Sequence, residues 1–418
     1  MNVVEREVRA NGRAGGTGAM HRPHRSLEGR LIERLLSHAG NPAIEFVLWT
    51  GERVRSPGVE VAHEMHVADR ATLMKLITDT QLGFGDGYSE GRITVAGDLV
   101  AFLETTYRAV PKSRGAGKIF RRLVTRRAQP ANTLAGSREN IHRHYDIGNE
   151  FYSLWLGSTM AYTCAYYPSA DATLDEAQVA KMHHVCRKLR LRSGESVVEA
   201  GCGWGALGLH MARHYGVKVR AFNISHEQIV YARERAQAEG LTSMVEYIED
   251  DYRNISGSYD AFVSVGMLEH VGRENYPELG RVANQCLPRH GRGLIHSIGR
   301  NRPSPLHPWI QRRIFPGAYP PTLAEMMQLF EPWDISVLDV ENLRLHYAQT
   351  LRHWLALYEA ASERVKNLFD EKFVRMWRLY LAGSIAGFTT GTLQLFQVVF
   401  APRDNNDIPL TRAYLYQD

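Results

Sequence analysis

The stretch that decides the fold is Ser196-Val-Val-Glu-Ala-Gly-Cys-Gly-Trp-Gly205. Its first half, SVVEA (196–200), reads as a short buried strand, and its second half carries Gly201, Gly203 and Gly205 before a helical pattern. Glycine lets the backbone turn sharply and lets a ligand approach the main chain. Outward from this loop the alternation repeats. A helix over 175–191 precedes the strand, and KVRAFN (218–223) and a helix over 225–240 follow it. Then come VEYI (245–248), AFVSV (261–265), a further helix and GLIHSI (293–298). Short apolar strands separated by helices mean parallel βαβ units. Right-handed crossovers wind them into a doubly wound, Rossmann-like α/β sheet. Such a sheet binds ligands at the carboxyl ends of its strands.

Tight turns use the same glycines, so the loop alone is weak evidence. Its strand–loop–helix setting points to a cofactor site. The spacing differs from the phosphate-binding GxGxxG and matches the glycine loop of class I methyltransferases, whose ligand has no phosphates. Asn223 ends the second strand, and Ser225 and Gln228 are spaced as a capping box. Asp250-Asp251-Tyr252 follows the third strand. Asp251 offers an acceptor for an adenine amino group and Tyr252 a ring to stack on it. Acidic residues at strand ends also serve as helix caps.

The 418 residues suggest two or three domains, and 44% hydrophobic with 23% charged residues is ordinary for a globular protein. Residues 1–25 are polar and glycine-rich and are expected to be disordered. A helix starting at Ser26, with Leu31, Ile32, Leu35 and Leu36 on one face, and a hairpin around Thr50-Gly51 open a smaller N-terminal α+β domain over 26–110. A linker over 111–140 then leads to a catalytic domain over 141–418. Between Arg108 and Pro130 stand Arg108, Lys112, Arg114, Lys118, Arg121, Arg122, Arg126 and Arg127, with no acid in the run. That run is either a solvated link or a contact for anionic lipid. No nucleic-acid-binding signature accompanies it, so no nucleic acid partner is expected.

Cys164, Cys186, Cys202 and Cys286 have neither metal-site nor disulfide spacing, so no metal is expected. Scattered cysteines and an N-terminus without an apolar core point to a cytoplasmic protein. No charge occurs between Arg378 and Arg403, and Gly383, Gly387 and Gly391 recur at helical spacing. Thr389, Thr390, Thr392, Gln394 and Gln397 make this a close-packed helix and a buried strand rather than a membrane span.

The whole pattern resembles the cyclopropane-fatty-acyl-phospholipid synthases. The segments that carry the resemblance are HYDIGNEFYSLWL (144–156), MAYTCAYY (160–167), EAGCGWG (199–205), NISHEQ (223–228), DDYRN (250–254), VGMLEHVG (265–272), LIHSIG (294–299), PWIQRRIFPG (308–317), HYAQTL (346–351) and QLFQVVF (394–400), with LGFGDGYSEG (82–91) nearer the N-terminus. The resemblance implies an S-adenosylmethionine-dependent enzyme that turns the double bond of an unsaturated phospholipid acyl chain into a cyclopropane ring. It implies a bicarbonate ion held by Cys164, Glu269, His296, Ile298 and Tyr347. It also implies cofactor contacts from Tyr145, Tyr162 and Thr163, and a peripheral membrane homodimer.

An alkene attacking a sulfonium methyl becomes a carbocation, and one methyl proton must leave before the ring closes. Bicarbonate is a suitable weak base. Glu269 can accept its hydroxyl proton, while His296, Tyr347 and main-chain amides near Cys164 and Ile298 can donate to it. Tyr347, Trp309 and Phe315 offer aromatic faces to the cation, although core packing explains each equally well. Some relatives carry a cysteine where this chain has Ser384, and Asn223 stands where many methyltransferases offer the ribose an acid. Two alternatives remain at this point. One is the same fold adding a methyl or methylene branch, and the other is a non-catalytic lipid-binding protein.

Overall fold

The structure, a computed structural model, describes residues 25–109 and 147–416. The expectations placed on residues 1–24, on the linker over 111–140 and on Tyr145 lie outside the described residues.

The N-terminal region is a small α+β layer. Its first helix, Leu27–His38, is capped by Ser26, whose Oγ accepts from Gly29 N at 2.9 Å, and it buries Ile32 and Leu36. β1 (Ile44–Leu48) and β2 (Arg53–Arg55) form the expected antiparallel hairpin. β3 (His63–Val67) joins β1 in parallel, and β4 (Ile93–Ala96) joins β3 antiparallel, giving the order β2-β1-β3-β4. Helices Arg70–Thr78, Thr80–Ser89 and Leu99–Ala109 complete the layer.

The second sheet has seven strands: β5 (Ser196–Ala200), β6 (Lys218–Asn223), β7 (Val245–Glu249), β8 (Ala261–Val265), β9 (Arg292–Gly299), β10 (Ile335–Asn342) and β11 (Gln394–Pro402). Their order is β10-β11-β9-β8-β5-β6-β7. The chain starts in the middle at β5, runs out to β7, and returns beside β5 as β8. The switch point between β5 and β8 is where such sheets bind ligands. Six strands run in the same direction, and β11 inserts antiparallel between β9 and β10.

Alternation along the strands feeds two cores. Val197, Val219 and Val263 face helices Leu174–Lys188, Ala206–Tyr215 and His226–Ala238, whereas Val198, Phe222 and Phe262 face helix Tyr276–Cys286. A third core joins the two sheets through helices Arg344–Ala360 and Glu371–Thr389. The charge-free stretch is therefore an interior helix followed by a strand buried along nearly its whole length. No helix among the described residues is long and apolar enough to cross a membrane.

The N-terminal layer is keyed to the larger sheet by specific contacts. Arg313 bridges to Asp86 at 2.9 Å, and Arg375 donates to the carbonyls of Tyr88 (2.6 Å) and Ile93 (3.0 Å). Gly85 lies under Trp309, where a Cβ would stand 2.3 Å from the indole, so LGFGDGYSEG needs a glycine there.

Candidate active site

Two sets of residues meet at the carboxyl ends of the parallel strands. In the glycine loop, Gly203 (φ +53°) and Gly205 (φ +82°) are both left-handed. They do different things. A Cβ on Gly205 would collide with Tyr247 Oη at 2.6 Å, and that hydroxyl donates to the Gly205 carbonyl at 2.6 Å. A Cβ on Gly203 would meet nothing within 4 Å. Gly205 is thus a packing glycine and Gly203 is the one whose backbone lies open to a ligand. The Gly201 amide is tied to the neighbouring strand through the Phe222 carbonyl at 2.9 Å.

The polar residues beside this loop are largely engaged. Ser225 caps helix His226–Ala238, its Oγ 3.5 Å from Gln228 N. The reciprocal half of the expected capping box does not form. Gln228 Oε1 instead accepts from Asn223 Nδ2 at 2.7 Å, because the buried Asn223 amide needs an acceptor. Asp251 holds Arg253, whose Nη1 lies 3.1 and 3.0 Å from its two carboxylate oxygens. The Arg253 guanidinium lies 4.8 Å from the Tyr252 ring centroid, and that ring sits in the core beside Phe222. Arg253 therefore occupies the carboxylate and one ring face that were expected to meet adenine.

Cys164, Glu269, His296, Ile298 and Tyr347, together with Tyr162 and Thr163, line one cavity of about 870 Å³. The short helix Leu268–Val271 supplies Glu269, β9 supplies His296 and Ile298, and helix Arg344–Ala360 supplies Tyr347. Glu269 is buried. Its Oε1 accepts from Ile298 N at 2.5 Å, while Oε2 has no partner among the described residues. The Ile298 amide, expected to serve an anion, thus orients Glu269. Burial pushes the Glu269 carboxyl up to about 7, against the pull of its hydrogen bonds.

His296 is buried, and burial holds its pKa well below the usual value, so the ring is neutral. Gln397 Nε2 lies 3.0 Å from its Nδ1. With the Gln397 amide turned so that its NH₂ faces the ring, Nδ1 accepts and the ring proton sits on Nε2. That Nε2 has no protein partner among the described residues. The cavity lining therefore holds one orphaned carboxylate oxygen, Glu269 Oε2, and two orphaned donors, His296 Nε2 and the Trp309 indole N–H.

The Cys164 thiol donates to the Ala165 carbonyl at 3.1 Å, and burial drives its pKa far up. It remains a thiol, and only its main chain can act on an anion. Tyr162 Oη pairs with Tyr380 Oη at 2.8 Å. Thr163 is held from two sides: Lys181 Nζ donates to its Oγ1 and Gln178 Nε2 to its carbonyl, both at 2.9 Å. Burial pushes the Lys181 amine down to about 8. The Tyr347 ring packs on Phe388 with centroids 4.6 Å apart. Gln397, Lys181 and Gln178 were not anticipated. A glutamine inside an otherwise apolar strand is the signal that marks Gln397, whereas a lysine on a polar helix carries none.

The remainder of the lining is apolar and draws on both sheets. Trp309, Phe315 and Leu395 come from the larger unit, and Leu36, Phe46, Met65, Phe84 and Phe102 from the N-terminal layer. A long apolar pocket ending at a few convergent polar groups suits a hydrocarbon ligand with one reactive point.

Residues 133–398 match the profile of the mycolic acid cyclopropane synthetase family. The chain belongs to this family. It is 40% identical over 295 residues to "Probable fatty acid methyltransferase" of Pseudomonas putida, covering 67% of this chain and 74% of that protein. It is 37% identical over 270 residues to the cyclopropane-fatty-acyl-phospholipid synthase of Escherichia coli K12, covering 64% and 69%. The solved mycolic acid cyclopropane synthase CmaA1, complexed with SAH and CTAB, superposes with a TM-score of 0.61 at 27% identity, covering 66% of this chain and 99% of that one. The α/β methyltransferase fold is thereby established. The chain is an S-adenosylmethionine-dependent methyltransferase, and modification of acyl chains is the activity that its family membership carries. The alternative of a non-catalytic lipid-binding protein falls away.

Proposed function

We propose that this enzyme transfers a methylene unit to the cis double bond of an unsaturated phospholipid acyl chain and closes a cyclopropane ring. The observation that carries the reading is the pair of orphaned atoms, Glu269 Oε2 and His296 Nε2, in the lining of one largely apolar cavity. Buried polar atoms without partners are costly unless a ligand satisfies them.

The open side of Gly203 fits S-adenosylmethionine, which supplies the electrophilic methyl. The orphaned pair fits a small anion that carries a proton: Glu269 accepts from its hydroxyl and His296 Nε2 donates to its oxygen. Bicarbonate held there would supply the weak base for the proton that the methylated carbon skeleton must lose. Without a shared proton, carboxylate and anion would repel each other. Tyr347 lends a further phenol to the same lining.

The protein's own residues do the rest. Ile298 N–H fixes the Glu269 carboxylate, and Gln397 fixes the His296 tautomer. Cys164, kept as a thiol by burial, offers the cation no thiolate. Trp309, Phe315 and Tyr347 exclude water and present ring faces. The lipid would be met at a membrane surface by a peripheral, cytoplasmic protein, with the basic linker as the anionic contact.

Lipid analysis of cells expressing the chain tests the proposal. A fatty acid heavier by one CH₂ that survives mild hydrogenation is the expected product. A second reading, branch formation, is favoured by the likeness to the Pseudomonas fatty acid methyltransferase. A methylene branch has the same mass as the ring but is reduced by hydrogenation.

A further inference from the structure

A second cleft, of about 890 Å³, adjoins the cavity and shares Thr390 and Thr392 with it. It lies where three strand ends converge: Arg300 follows β9, Arg344 follows β10, and Thr390–Gln394 lead into β11. Arg300, Arg302 and Arg344 all line it. None of the three has a carboxylate within ion-pair distance among the described residues.

The hydrogen-bonding capacity of these groups is only part used. Arg300 is 8% exposed, donates through Nη1 to the carbonyls of Ser304 (2.7 Å) and Pro305 (3.0 Å), and keeps an unpartnered buried Nε. Arg344 Nη1 caps helix Glu371–Thr389 on the carbonyls of Phe388 and Thr389, leaving Nε and Nη2. The exposed Arg302 side chain makes no hydrogen bond among the described residues. His346 Nδ1 accepts from Tyr167 N at 3.0 Å, so its proton sits on Nε2, another donor in the same cleft. Three cations and a neutral donor without an acid are chemistry for a phosphate, which guanidinium groups bind with paired N–H donors.

We propose that this cleft holds the phosphate of the lipid headgroup while the acyl chain enters the adjoining cavity; the inference rests on the phospholipid reading above. Along β9 the spacing is consistent. Arg300 stands four residues beyond His296, about 13 Å at the rise of a strand. The bound lipid would thus be anchored at a fixed distance from the reacting carbons, and Arg300, Arg302 and Arg344 act as positioning residues.

The test is calorimetric titration of the full chain with dioleoylphosphatidylglycerol and with dioleoylglycerol, each in neutral detergent micelles. Wild type should prefer the phospholipid by about tenfold, equivalent to ~1.4 kcal/mol. Arg302→Ala should lose part of that preference, and Arg302→Ala with Arg344→Gln nearly all of it, with dioleoylglycerol affinity unchanged. Arg302→Ala removes no hydrogen bond or ion pair among the described residues, so it carries the test even if the double variant fails to fold. Absence of a wild-type preference, or a preference undiminished in Arg302→Ala, overturns the proposal. Titration with inorganic phosphate separates the other source. Phosphate binding that depends on Arg302, without any lipid preference, assigns the cleft to free phosphate and also overturns it. Turnover of the dioleoyl phospholipid by wild type, read by product mass, judges the acyl-chain reading separately.

Discussion

Gln397 and His296 face each other across β11 and β9, with Gln397 Nε2 3.0 Å from His296 Nδ1. This contact decides which ring nitrogen offers a proton to the cavity. Gln397→Glu would draw the proton to Nδ1 and turn Nε2 into an acceptor. We expect kcat to fall about tenfold or more, ~1.4 kcal/mol in barrier, with S-adenosylmethionine affinity unchanged. Steady-state kinetics beside cofactor calorimetry checks both halves.

Glu269→Ala should cut turnover on oleoyl lipid vesicles by about 10² to 10⁴, the range for a positioned proton-transfer group. Cofactor binding and the melting temperature serve as controls. Turnover at the wild-type rate would remove Glu269 from the chemistry.

The elevated pKa of Glu269 gives a pH prediction. Its carboxyl sits near 7 in the folded chain against about 4.5 when unfolded. The folded state therefore binds the proton more tightly, and stability from this group is present at low pH and lost as pH rises from 4.5 to 7. Glu199, also raised to about 7 by burial, acts in the same direction. Urea midpoints at pH 5 and pH 8 should fall less in Glu269→Gln than in wild type.

The two glycines of the loop should separate by phenotype. Gly205→Ala meets Tyr247 at 2.6 Å and should lower stability by about 1–3 kcal/mol. Gly203→Ala, in open space, should cost about 1–2 kcal/mol of backbone strain and weaken cofactor binding as well. Thermal melts and calorimetry distinguish the pair.

Gly383 lies in a helix and lines the cavity, and an added Cβ there meets only Tyr107 Oη at 3.7 Å. Gly383→Ala should stabilise by about 0.5–1 kcal/mol. Gly383→Leu should fill the cavity and lower kcat/KM for lipid about tenfold or more while cofactor affinity holds. Equal loss of lipid turnover and cofactor binding would argue against an acyl path past this helix.

The parallel strands were legible because their apolar runs are short and bounded by helical patterns. KVRAFN and AFVSV form at the expected positions. β10 was missed because ISVLDVEN carries two acids and lies half-buried at the sheet edge, so no clear period shows. Motif resemblance marked Cys164, Glu269, His296, Ile298 and Tyr347, and the structure brings them together around one space. It could not show that Ile298 N–H serves Glu269, or that Arg253 covers Tyr252, since both depend on side-chain geometry. The contribution of Phe46, Met65 and Phe102 to the same cavity was equally hidden, because contacts between remote segments leave no local periodicity.

The antiparallel insertion of β11 has a consequence for biosynthesis. Gln397 reaches His296 only after residue 402 has left the ribosome tunnel, long after β5 to β9 are free to pair. A nascent chain can hence assemble its glycine loop early, yet it has no completed reaction chamber until this late strand slides into the gap. The orientation of the His296 ring is therefore fixed only once this strand, translated after β5 to β10, is in place.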